Sequence, residues 1–254
     1  MTDYHSIDAL KEVSSLSAWA AEPQRDLVIL AEGNASINLG QSMLIKGSGA
    51  SMGSGGIAEF VEVDRVRLAE LVNGGTATDD EVAAELLAAR LWGERRPSVE
   101  TLLHVVCQAL DGVVAVLHTH PTPVNALLCS TAANLLVSGS YFPDQIVTLG
   151  TNPMLVPYTD PGLPLAQLVN AMLAEHIGAT GSAPKVIYLQ NHGMFALGSG
   201  VAEAIQVTQM AVKTAQVILG ATSVGGVVPL SPDHALRIDS RPDELLRRSE
   251  LRQR

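Results

Sequence analysis

Three histidines carry the clearest chemistry in this chain: His118 and His120 in Val-Leu-His-Thr-His-Pro, and His192 in Leu-Gln-Asn-His-Gly. The first pair follows an apolar run, 113–117, that reads as a buried strand. Residues two apart on a strand point to the same face, so the two imidazoles project side by side. A third imidazole from a distant loop completes a nitrogen set that leaves coordination positions open, as a catalytic divalent metal requires. Taken singly, each histidine reads as a hydrogen-bonded core or turn residue. A His-x-His at a strand end, followed by Pro and matched by a His-Gly turn, makes the reading a metal site. Three imidazoles suit Zn²⁺ foremost, and also Mn²⁺, Co²⁺ or Ni²⁺.

Elements placed in order must bring these groups together. Ser6 to Ala21 reads as an amphipathic helix with Ile7, Leu10, Val13, Leu16 and Trp19 on one stripe. Short alternating runs on either side of Gly40 predict a hairpin that ends in the glycine-rich Lys46-Gly47-Ser48-Gly49. Residues 50–56 are small enough to form a mobile flap. Phe60–Val63 reads as a strand, with Asp64 capping a helix after it, and a further helix runs from about Asp79 to Gly93. Ser98 is placed to cap a helix that continues through Leu110. A strand over 113–119, a helix over 121–129, strands near 146–149, 153–156, 185–189 and 194–197, and helices near 163–177 and 201–219 follow. Pro, Ser and charge enrichment predicts a loosely attached tail over about 229–254. We expect one α/β domain over 1–254, with helices covering a mixed, largely antiparallel sheet.

Composition narrows the class. A net charge of −10 and a pI near 5.1 argue against a nucleic-acid surface. The longest apolar stretches, such as 113–117 and 211–219, fall well short of the roughly 20 residues that span a bilayer. The N-terminus lacks a basic-then-apolar signal layout, and Cys107 and Cys129 read as small buried residues. A cytoplasmic enzyme acting on a small molecule fits.

Glu100 stands in Ser-Val-Glu-Thr-Leu-Leu-His, ahead of His118. A glutamate in a first helical turn is ordinarily solvated and favoured by the helix dipole. Here Glu-x-x-x-His, an apolar helix, an apolar strand and His-x-His-Pro arrive in order. With Gly-Asn-Ala-Ser upstream and Asn-His-Gly downstream, the chain from about Ser6 to Leu219 closely resembles the class II aldolase/adducin-head family. That family includes fuculose-phosphate and rhamnulose-phosphate aldolases and ribulose-phosphate 4-epimerases.

The resemblance implies a three-layer α/β/α fold and a homotetramer with sites between subunits. It also implies a divalent ion on His118, His120 and His192, with Glu100 as acid/base. Asn34, Ser48, Gly49 and Ser98 match the family's anion-binding positions. Val99 stands where a second phosphate-binding serine is expected, which leaves phosphate or carboxylate open as the anion. Lys46 and backbone N–H groups at the Ser98 turn can supply positive potential. Tyr141 lies near the position of a tyrosine that protonates the leaving aldehyde, and also reads as a packed residue.

Among the remaining polar residues, His104 can bond Glu100 or simply pack, and Asn191 can orient its loop through its amide. Glu32 reads as a surface charge or an ion-pair partner, and His5, His176 and His234 as surface residues. The expected reaction is retro-aldol cleavage of a small ketose or ketose phosphate through a metal-stabilised enediolate. A 4-epimerase, a decarboxylase or dehydratase, and an adducin-like binding module are the alternatives.

Overall fold

The computed structural model describes residues 4–54 and 56–251, with the side chains of 4–6, 249 and 251 left aside. The His5 side chain and Gly55 therefore lie outside what is described. The elements are α1 (Tyr4–Ala20), β1 (Asn34–Asn38), β2 (Ser42–Lys46), β3 (Phe60–Asp64), α2 (Arg65–Asn73), α3 (Asp79–Ala88), β4 (Arg90–Trp92), α4 (Thr101–Gln108) and β5 (Ala115–Thr119). They continue as α5 (Thr122–Leu128), α6 (Pro143–Leu149), β6 (Met154–Val156), α7 (Leu163–Thr180), β7 (Val186–Leu189), β8 (Gly193–Gly198), α8 (Val201–Ser223), α9 (Pro232–Ser240) and α10 (Pro242–Leu251). Among the described residues, no helix is long and apolar enough to cross a membrane.

One eight-stranded sheet in the order β4-β3-β2-β1-β5-β8-β7-β6 forms the middle layer. Every neighbouring pair is antiparallel except β6 with β7. The sheet is thus mixed and largely antiparallel, as expected. Strand alternation divides the core in two. Ala35, Ile37, Leu117, Tyr188 and Ala196 face α1, α5 and α8. Val63, Val116, Ile187, Phe195 and Leu197 face α2, α3, α4 and α7. The site lies at the edge of this second face.

Local chemistry explains most boundaries. Gly40, at φ 90°, closes the β1–β2 hairpin and donates its N–H to Asn38 Oδ1 at 2.7 Å. Asp64 caps α2 through the Arg67 N–H at 3.0 Å, and Thr78 with Glu81 forms a capping box on α3.

Four expectations give way. Residues 146–149 belong to α6, which Pro143 opens and Gly150, at φ 73°, ends; a short apolar run alone does not distinguish strand from helix. The helix expected to reach Gly93 stops at Ala88, and residues 90–92 pair with β3 as an edge strand. Ile7 is exposed, so the buried stripe of α1 is Leu10, Val13 and Leu16. Cys107 is buried, but Cys129, at the end of α5, is exposed. Residues 232–251 form α9 and α10, tied to α6 by Arg247–Asp144 at 2.6 Å and by Arg248 Nε to the Val147 carbonyl at 3.0 Å.

Candidate metal centre

His118 reaches the site from the last turns of the β5 ladder, paired with Asn34 on one side and Phe195 on the other. It has no exposed surface, and its ring stacks on Phe195 with centroids 4.2 Å apart. Its Nδ1 lies 3.0 Å from the Met194 carbonyl, which only accepts, so Nδ1 carries the hydrogen and Nε2 presents a lone pair. His120 follows just past the strand, with Nε2 2.9 Å from His118 Nε2 and Nδ1 3.7 Å from Glu32 Oε1.

His192 comes from the tight β7–β8 turn. Asn191 takes φ 56° there, and Asn125 Nδ2 donates to the His192 carbonyl at 3.0 Å. Gly193 is needed beside it, because a Cβ would stand 2.5 Å from His120 Cδ2. Glu100 Oε1 lies 3.3 Å from Nε2 of both His118 and His192. Ligand atoms of all four residues fall within 4.8 Å of one another.

This donor set fits a divalent cation. With acceptors beside both Nδ1 atoms, the Nε2 lone pairs of His118 and His120 face each other, an arrangement that a shared electrophile relieves. Burial above all, then the neighbouring His118 and His192, pushes His120 down to about 3, so its ring stays neutral and able to ligate. Burial raises Glu100, but His118 and His192 beside its Oε1 outweigh it. They hold the carboxyl well below its usual range.

The model of the class II aldolase and adducin N-terminal domain family matches residues 12–219, most of the chain. The chain belongs to that family. Over 140 residues it is 29% identical to a methylthioribulose-1-phosphate dehydratase of Pseudomonas savastanoi pv. phaseolicola, a match covering 52% of this chain and 66% of the relative. Among solved structures, YgbL of Klebsiella pneumoniae superposes with a TM-score of 0.70 at 20% identity, covering 91% of this chain and 98% of that one. An L-fuculose 1-phosphate aldolase gives 0.66 at 21% identity, over 91% and 94% of the two chains. The fuculose-phosphate aldolase of Thermus thermophilus gives 0.59 at 18%, over 88% and 99%. These structural likenesses speak to the class II aldolase fold.

Within that fold the other expected residues fall as follows. Lys46 is buried, and its Nζ donates to the carbonyls of Ala31 at 3.1 Å and Ala50 at 2.6 Å. Burial lowers its pKa, and the charge of Glu100 works against that. Ala50 and Met52 are buried, so the start of the expected flap is anchored. Ser48 and Gly49 sit in an exposed turn whose Ser48 N–H is taken by the Arg96 carbonyl at 2.7 Å.

Ser98 does not cap α4: its carbonyl accepts from the Thr101 N–H at 3.0 Å, while its Oγ is buried without a partner. Tyr141 donates to the Leu135 carbonyl at 2.6 Å and packs against the core. His176 is half-buried, whereas His234 is exposed. Glu32 accepts from the Ile29 N–H at 3.0 Å, which steadies the loop beside His120.

Three side chains were missed or misread. His104 bonds Asn34 Oδ1 and not Glu100 directly, and its other nitrogen lies 2.7 Å from Ser36 Oγ. Ser36 and Asn125 drew no attention in the sequence. A polar residue at every second position of β1 was the available signal for Ser36.

His104 yields a stability prediction. Burial first, then His118 and Lys46, lowers it to about 3, against a raising contribution from Glu100. Between that value and about 6.5 the unfolded chain binds a proton that the folded one refuses. The stabilisation is therefore complete above about pH 6.5 and is lost as pH falls towards 3, at about 1.4 kcal/mol per pH unit well inside that window. Urea unfolding between pH 7 and 4.5 should show a steeper loss for the wild-type protein than for His104→Gln. Parallel pH dependences would refute this role for His104.

Proposed function

We propose that this protein is a divalent-metal-dependent lyase of the class II aldolase type, cleaving a small ketose or ketose phosphate by retro-aldol chemistry. The convergence of Glu100, His118, His120 and His192 carries the reading. His118, His120 and His192 would hold the ion, Zn²⁺ by preference. An ion so held polarises a substrate carbonyl and its neighbouring hydroxyl as a Lewis acid. Glu100 Oε1 faces the same point, placed to exchange a proton with the carbon next to that carbonyl. Lys46, which feels the charge of Glu100, and the unpartnered Ser98 hydroxyl two residues before Glu100 favour an anionic group on the substrate. Val99 replaces one hydroxyl donor there, which favours a less demanding anion than phosphate.

The second reading is dehydration, favoured by the 29% identity to a methylthioribulose-1-phosphate dehydratase. Both reactions begin with proton exchange beside a polarised carbonyl, and they differ in whether carbon or water departs. A product-resolved screen of the Zn²⁺-loaded protein against ketose 1-phosphates, ribulose 5-phosphate and unphosphorylated keto acids decides between them. Two carbonyl fragments identify the aldolase, and loss of water with the carbon chain intact identifies the dehydratase. Turnover of nothing by fully loaded protein would leave the binding-module reading.

Assembly belongs to the same proposal. Ile29, Leu30, Leu91 and Trp92 are exposed apolar side chains, the first two on the loop leading to Glu32. We expect light scattering at working concentration to give about four chains of 26.7 kDa per particle, the closed symmetric state the resemblance implies. A fully active monomer would defeat a site shared between subunits.

A further inference from the structure

Helix α4 and strand β1 meet along a single polar line. Glu100, His104 and Gln108 recur every fourth residue on one side of the helix, and Asn34, Ser36 and Asn38 every second residue on the strand. Four helical residues advance about 6.0 Å and two strand residues about 6.6 Å, so the two rows can interleave. The resulting order is Glu100, Asn34, His104, Ser36, Gln108, Asn38.

Consecutive members bond throughout. Asn34 Nδ2 lies 2.5 Å from Glu100 Oε2, and Asn34 Oδ1 meets His104 Nε2. His104 Nδ1 lies 2.7 Å from Ser36 Oγ, Gln108 Nε2 lies 2.6 Å from the same oxygen, and Asn38 Nδ2 closes the row on the backbone carbonyl of Gln108 at 3.1 Å. Asn34, Ser36, His104 and Gln108 are all buried, and α4 has no exposed residue.

The direction of each bond follows from one end. A carboxylate only accepts, so Asn34 must turn its N–H₂ to Glu100 and its carbonyl oxygen to His104. His104 Nε2 therefore carries the ring hydrogen, and Nδ1 is bare. Nδ1 accepts from the Ser36 hydroxyl, and that oxygen in turn accepts from Gln108. From Gln108 to Glu100, every hydrogen in the row points towards the carboxylate. Aligned donors polarise one another, and a break in a buried row leaves a group unsatisfied.

We propose that this row is a positioning device for Glu100, with His104 as its central positioning residue. It pins Oε2 and leaves Oε1 as the oxygen that faces the histidines and exchanges the proton. The inference rests on the acid/base reading of Glu100. His104 touches no reacting atom, because both ring nitrogens are taken up by Asn34 and Ser36.

The first test needs neither metal nor substrate. Two-bond ¹H–¹⁵N spectra of the metal-free protein at pH 7 should show His104 as the neutral Nε2–H tautomer. An Nδ1–H tautomer or an imidazolium overturns the proposal. The second test compares His104→Phe with His104→Gln, whose amide can donate to Asn34 and accept from Ser36. On the compound the wild-type protein turns over, Phe should lower kcat about 10–100-fold, with KM and bound Zn²⁺ unchanged. Gln should recover most of the loss.

A Phe variant that is only less stable, with kcat intact, overturns the positioning role. So does a Gln variant as slow as the Phe one. If the Phe variant does not fold, the tautomer and the Gln rate decide. Should the wild-type protein turn over none of the screened compounds, the lyase reading fails while the tautomer still decides the row.

Discussion

Replacing His192 with alanine should strip the proposed divalent metal from the protein and end turnover. Of the three imidazoles, this one isolates the ligand effect. His118 is fully buried and stacked on Phe195, so its truncation also opens a cavity and costs about 2–4 kcal/mol of packing. His192 keeps 15% of its side chain exposed, and its backbone is held by Asn125 and by the φ 56° conformation of Asn191. Removing its ring leaves two facing nitrogens and a carboxylate, an incomplete set for a tetrahedral ion. Loss of a mere supporting partner typically lowers metal affinity 10–100-fold, so loss of the ligand itself should exceed about 100-fold. Metal analysis after dialysis, with thermal unfolding as a control, checks this. Full Zn²⁺ occupancy in a folded His192→Ala protein would place the metal elsewhere.

Glu100→Gln should retain the metal and the fold while turnover drops roughly 10²–10⁴-fold, the usual contribution of a positioned acid/base. The amide can still accept from Asn34 through its oxygen, so the polar row survives on that side. What disappears is the basic oxygen 3.3 Å from His118 and His192. The carboxyl sits well below its usual range because the histidines outweigh its burial, which suits the base proposed for it. Steady-state kinetics with metal content measured in parallel separates the two causes of slow turnover. A Glu100→Gln protein that works near the wild-type rate would move the proton to another residue and remove the mechanism drawn here.

The clustering of the three histidines was legible because its signals are local: His-x-His at a strand end and His-Gly in a turn each announce themselves within a few residues. The sheet was legible for a related reason. Alternation over 34–38, the short apolar runs in 42–46 and 60–64 and the turn at Gly40 mark neighbouring strands without distant partners. Residues 146–149 misled because a short apolar run lacks a period, and only Pro143 and Gly150 decide in favour of a helix. Ser98 misled for a subtler reason. It stands where a capping hydroxyl belongs, but Glu100 already has helical angles and the Ser98 carbonyl makes the first turn. The polar row between α4 and β1 depends on two periods meeting across more than sixty residues of chain, and neither segment reveals it alone. Asn34, which the resemblance marks as an anion-binding position, has its amide bonded to Glu100 on one side and to His104 on the other.

The ends of the sheet bear on how copies of this chain can meet. Its two open edges, β4 and β6, are each three residues long, and the pairing of β4 with β3 shifts register between Glu62 and Val63. Short, irregular margins offer a poor template for another strand. A crowded solution of this protein should therefore resist fibril growth by strand addition. Contacts between copies are left to side chains, which can be tuned residue by residue without endangering the backbone that carries the histidines.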